Sequence, residues 1–184
     1  MPKGLTPSSQ QIAISFDSLA GAGNYTEKRI DLQLNALDEE VFVVTAVKID
    51  VELPNEINLF GAGANGSYGA DVALTKQSRP NAVSNLGEST CFASQRSFIF
   101  CSEESQAGGD YAVAGVYESN NNDVPSQLEY TDIIATPDFF VGLKNLGVGA
   151  GASNIRVYGK VYGYRAKASS AVYASLVQSE VLSN

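Results

Sequence analysis

Val41-Phe42-Val43-Val44-Thr45-Ala46-Val47-Lys48-Ile49-Asp50-Val51-Glu52-Leu53 decides the fold class. Strict alternation puts Val41, Val43, Thr45, Val47, Ile49, Val51 and Leu53 on one face. Phe42, Val44, Ala46, Lys48, Asp50 and Glu52 take the other. A period of two over so many residues is the signature of an extended strand, because successive side chains point to opposite faces. The second face begins apolar and ends charged, which predicts a strand that enters a core and emerges at an edge or end. Pro54-Asn55 stops it, since proline cannot donate to a sheet ladder.

Shorter strands flank this one. On the N-terminal side, Ile12, Ile14 and Phe16 alternate with Ala13 and Ser15. After a turn at Gly21–Asn24, Ile30, Leu32 and Leu34 alternate with Asp31, Gln33 and Asn35, and Asn35–Asp38 reads as a turn. On the C-terminal side come Ile57–Phe60, a glycine-rich loop over 61–69, and a strand at Val72 and Leu74. A long polar loop spans 76–88, followed by a strand or tight hairpin from Cys91 to Cys101. Ser102–Asp110 reads as an acidic loop, Tyr111–Tyr117 as a strand and 124–137 as irregular. Phe139–Leu143 is a strand, and Gly147–Ser153 is a glycine loop. Ile155, Val157, Gly159 and Val161 alternate with Arg156, Tyr158, Lys160 and Tyr162 in a last long strand.

Roughly eight to ten short strands with turn signals between them imply a sandwich or barrel rather than βαβ units. The expected fold is all-β: an antiparallel β-sandwich, a single jelly roll of about eight strands. An immunoglobulin-like sandwich is the alternative, but the chain has no Trp and so lacks the Cys…Trp…Cys signature. The expected organisation is a flexible, Pro- and Ser-rich N-terminal arm over 1–10, a sandwich domain over 11–167 and a C-terminal tail over 168–184. Val172, Leu176 and Val177 give that tail a helical spacing, though it fits a last strand about as well.

At 184 residues the chain can bury a full core without staples. Only 17% of residues are charged, below the ~25% of soluble domains. A surface poor in charge and rich in Ser, Asn, Gly and Ala suits contact with neighbours. The net charge is −8, and the twelve Lys and Arg are scattered, which argues against direct nucleic-acid binding. The N-terminus has no apolar segment of the signal-peptide kind, and no apolar run approaches a membrane span. Synthesis in a cytoplasm is the expectation.

There is no histidine, which removes Ser-His-Asp and Cys-His catalysis and the usual proton shuttle. Two cysteines cannot build a four-cysteine zinc site. On one extended strand Cys91 and Cys101 would stand about 33 Å apart, far beyond disulfide reach, so both are expected as thiols; they could pair only if the chain folds back between them, for instance at Ser94-Gln95. Asp38-Glu39-Glu40 and Glu103-Glu104 are carboxylate pairs in predicted loops, better explained as solvated faces than as a glycosidase pair. Gly61-Ala62-Gly63-Ala64-Asn65-Gly66 fits G-x-G-x-x-G but lacks the helix that a dinucleotide site requires. No catalytic and no cofactor-binding residue is assigned. Structural calcium is the one cofactor left open, with oxygen ligands from Glu103, Glu104, Asn120, Asn122 and Asp123. The interface candidates are Arg156, Tyr158, Lys160, Tyr162 and Tyr164 on one strand face, because Tyr and Arg are enriched at contact surfaces. The bland alternative is a half-exposed sheet face with amphipathic side chains laid flat.

The arm at 1–10, the regular short strands, the Gly/Asn/Ser loops at 61–69, 76–88 and 118–127 and the ending Ile155–Tyr164 together make the chain resemble viral jelly-roll coat proteins. The resemblance covers most of the chain and is one of overall pattern. It implies a non-enzymatic virion structural protein: a self-assembling capsid subunit made in a host cytoplasm, whose partners are copies of itself and other virion proteins. The arm departs from the Arg-rich arms of many RNA-packaging coats, since Lys3 is its only base. A decoration, spike or fibre subunit fits the same features. From a different class, a ligand- or carbohydrate-binding β-sandwich is the alternative function.

Overall fold

A computed structural model describes residues 2, 4–52, 65–106, 109–120, 128–149 and 152–182; for 101–106, 109–114 and 120 it describes the backbone alone. Eleven strands and one helix follow in the order β1 (Leu5–Pro7), β2 (Ile12–Ala20), β3 (Tyr25–Asp31), β4 (Glu40–Glu52), β5 (Gly66–Thr75), β6 (Cys91–Gln106), β7 (Gly109–Asn120), β8 (Asp132–Ile134), β9 (Asp138–Asn145), β10 (Val148–Gly149), β11 (Ile155–Ala168) and α1 (Ser170–Leu182).

All strand pairings are antiparallel. One sheet runs β1-β11-β4-β8, with β2 also on β11; the other runs β3-β9-β5-β6-β7, with β10 on β5. The pairs nest: β2 lies beside β11, β3 beside β9, β4 beside β8 and β5 beside β6. From β2 to β5 the chain changes sheet at every step. This is a long hairpin rolled into two sheets, the jelly roll. Its eight strands are β2, β3, β4, β5, β6, β8, β9 and β11; β1, β7 and β10 are additions.

The space between the sheets is filled by Phe16, Phe42, Val44, Val47, Ile49, Val157 and Val161 from the first and Tyr68, Val72, Leu74, Phe139, Val141 and Leu143 from the second. Burial of such side chains contributes about 1.5–3 kcal/mol each relative to exposure. Two glycines of β11 face this core. A Cβ at Gly159 would collide with the Phe16 ring, and one at Gly163 with the Phe42 ring. The Tyr-Gly rhythm of the last strand thus makes room for two phenylalanines that lie across it.

A bulge corrects the alternation expected for residues 41–53. Tyr162 pairs with Ala46 but Gly163 with Val44, leaving Thr45 as the extra residue. The Thr45 hydroxyl donates to the Tyr162 carbonyl at 3.2 Å. Parity therefore flips along β4. Phe42 and Val44 join Val47, Ile49 and Val51 on the inter-sheet core, while Val41 and Val43 face outward into a second cluster.

That second cluster lies beneath α1. Leu5, Val41, Val43, Ala135, Ala166 and Ala168 are covered by Val172, Tyr173, Leu176 and Val177. Within residues 168–184, Ser170–Leu182 is helical. Residues 5–7 depart from the flexible arm expected over 1–10: they pair with residues 166–168 and bury Leu5. Two expected loops are also strand in part. β5 begins at Gly66 because Gly66 and Ser67 bridge β10 and β6, and Ser102–Gln106 continues β6 opposite β7.

Candidate contact surface

The outer face of the first sheet divides in two. One end lies under α1; the other carries four open cross-strand rows. Reading β2–β11–β4, these are Leu19–Arg156–Glu52, Asp17–Tyr158–Asp50, Ser15–Lys160–Lys48 and Ala13–Tyr162–Ala46. Among the described residues the charged half of β4 pairs with β11 alone, since β8 reaches no further than Val44, so it lies at the edge of the sheet as its sequence predicts.

Arg156, Tyr158, Lys160 and Tyr162 share this open half; Tyr158 is 41% exposed. Tyr164 has the same outward parity but packs into the cluster beneath α1, so the structure separates it from the other four. The Tyr158 hydroxyl reaches the Glu52 carboxylate at 3.2 Å. Contact with Tyr158, and then the charges of Glu52 and Asp17, push the Arg156 pKa up. Asp17 is ion-paired with Lys28, whose hydrogen bond and charge hold its carboxyl below the usual range.

The middle of the face is a shallow depression of about 350 Å³, lined by Ser15, Lys48, Asp50, Tyr158, Lys160 and Tyr162. Lys48 and Lys160 stand directly opposite each other, and like charges so placed destabilise a sheet. Among the described residues neither ammonium has an ion pair. Chemically the depression offers two tyrosines, two cations and one carboxylate, Asp50. Lys48, Asp50 and Ser15 were not singled out in the sequence; only strand order brings them beside β11.

A second depression, about 370 Å³, lies on the outer face of the other sheet between Asp71, Asn85, Ser94, Arg96, Tyr117 and Ser119. Arg96 and Asp71 pair at 2.8 Å, and burial pushes the Asp71 carboxyl up. The Tyr117 ring lies 5.2 Å from Phe98 at its rim.

The other candidates lie elsewhere. The Glu103 and Glu104 side chains and the whole of Asn122 and Asp123 fall outside the described part; Asn120 is described in backbone only. Among the described residues no three His, Cys, Asp or Glu side chains cluster as a metal site. The Asp38 and Glu40 carboxylates have local partners: Ser8 and the Asn35 backbone N–H on Glu40, and the Asn35 side chain and Lys167 on Asp38. Cys91 is a buried thiol whose pKa burial pushes up to about 11. Among the described residues no helix is long and apolar enough to cross a membrane.

No family model and no curated protein matches the chain. Among solved structures it is similar to apo chimpanzee polyomavirus VP1, at 9% identity and a TM-score of 0.40, over 92% of this chain and 97% of that one.

Proposed function

We propose that the protein is a non-enzymatic structural subunit that assembles with copies of itself, as a virion coat protein does. The observation that carries this reading is the open half of the first sheet's outer face, where Arg156, Tyr158 and Lys160 are exposed and Tyr162 half-buried in one strand row. Tyr and Arg are the residues favoured at protein contacts. The jelly roll serves virus shells and lectins alike, so the fold admits the reading without deciding it. Other virion proteins are further partners, and the virion is the proposed location. A decoration, spike or fibre subunit is the same reading with a different neighbour. Structural calcium through Glu103, Glu104, Asn122 and Asp123 belongs to the proposal as a stabiliser of subunit boundaries.

The test is particle size by light scattering and negative-stain imaging of the purified chain, with and without calcium. Shells, rings, tubes or discrete oligomers are expected. A strict monomer at high concentration in both conditions overturns the reading.

One observation favours a second reading, a ligand-binding sandwich: the polar depression at Asp71, Arg96 and Tyr117, with its aromatic rim. A glycan-array screen of the monomer separates the two. Specific binding abolished by Arg96→Ala supports the second reading, and an array without signal removes its carbohydrate form.

A further inference from the structure

Leu37 is 96% exposed. An isolated exposed leucine needs no explanation, but this one sits on a braced corner. Residues 36–38 form a 3-10 turn capped by Asn35, whose side chain accepts the Leu37 N–H at 3.1 Å and donates to Asp38 at 2.6 Å. Glu39 closes the turn in the left-handed region, φ 55°. The corner is tied to the body where Lys167 pairs with Asp38 and Ala168 N–H donates to the Glu39 carbonyl. The result is a firmly held apolar knob beside two acids, Asp38 and Glu39.

The depression on the outer face of the first sheet is its chemical complement. Tyr158 and Tyr162 offer an apolar side chain a contact, and the opposed Lys48 and Lys160, which outnumber the one acid Asp50, supply the cations that Asp38 and Glu39 would meet. Knob and depression cannot meet within one molecule. Glu40 and Lys48 lie on the same extended strand, eight residues apart, about 26 Å at ~3.3 Å per residue.

We infer that the Leu37 corner of one copy seats in the Tyr158–Tyr162 depression of another, with Asp38 and Glu39 against Lys48 and Lys160. The inference rests on the self-assembly reading and names its contact. The surface presented differs from the surface received, so the contact is head-to-tail and propagates into a ring or filament. Its ionic part weakens with salt.

The test is sedimentation of the full chain with two variants, Leu37→Asp for the knob and Lys48→Glu/Lys160→Glu for the depression. Each alone is expected to weaken self-association at least ~10-fold, with unchanged circular dichroism and melting. Mixed in equal amounts, they are expected to form a discrete dimer, because one intact depression on the first variant meets one intact knob on the second. Wild-type assembly that both variants reproduce overturns the contact and leaves the self-assembly reading standing. So does a mixture that stays monomeric. A monomeric wild-type chain overturns both. Should the double charge reversal fail to fold, Tyr162→Asp takes its place in the same mixing experiment.

Discussion

The carboxylate of Glu180, in the last turn of α1, accepts the Ala135 N–H at 2.9 Å with one oxygen and the Thr136 N–H at 3.0 Å with the other. Glu180 is 4% exposed, and its burial pushes its pKa above 4.5. Removing the acceptor by Glu180→Ala leaves two buried donors unpaired and is expected to cost about 2–4 kcal/mol in denaturant unfolding. The pH dependence follows from the direction of the shift. Between its unfolded and folded pKa the native chain binds more protons than the unfolded one, so the Glu180 contribution falls as pH rises through and above 4.5. Glu180→Gln does not titrate. The gap in melting temperature between wild type and Glu180→Gln should therefore narrow from mildly acidic pH to neutrality; a gap that widens contradicts the assignment.

Gly159 and Phe16 share one volume. Gly159→Ala forces the Phe16 ring and the Lys48 carbonyl aside and should destabilise by about 1–3 kcal/mol. Phe16→Leu relieves part of that clash. A double-mutant cycle of Gly159→Ala and Phe16→Leu should give a coupling of at least ~0.5 kcal/mol, with the double variant more stable than the two single losses predict.

Cys91 gives a chemical readout. With its thiol pushed from 9.0 to about 11, its thiolate fraction near neutral pH falls about 100-fold, and burial slows access further. In a Cys101→Ser background, Cys91 should resist alkylation while folded and react at the rate of an ordinary cysteine in denaturant. Comparable rates in the two states would place the thiol at the surface.

Strand β1 closes the free end of the β11 edge and buries Leu5 beneath α1. Deleting residues 1–9 removes three paired residues and one core leucine, an expected loss of about 2–3 kcal/mol. Chemical unfolding measures it; an unchanged midpoint would return these residues to the status of a free arm.

How far the sequence carries can be judged residue by residue. The period of two at 12–16, 41–53 and 155–162 is enough for an antiparallel sandwich, because alternation is a property of the strand itself. It misplaces Phe42 and Val44, because a bulge is set by the partner strand: Thr45 reads as strand alone and becomes the extra residue only opposite Tyr162 and Gly163. The outward row Arg156, Tyr158, Lys160 and Tyr162 follows from alternation, while the loss of Tyr164 from that surface follows from α1 folding back over it. Lys48 gains its meaning only from facing Lys160 across a ladder, and Leu37 only from the turn that fixes it. Contacts between strands distant in sequence leave no local signal.

The Thr45 bulge is a half-step built into the register of β4. Were Thr45 paired in regular alternation instead, every residue before it would rotate by half a turn. Phe42 and Val44 would then stand under the helix, and Val41 and Val43 between the sheets. The extra residue thus decides which of two apolar layers the first half of the strand supplies, and deleting Thr45 should leave every other residue of β4 on its present face.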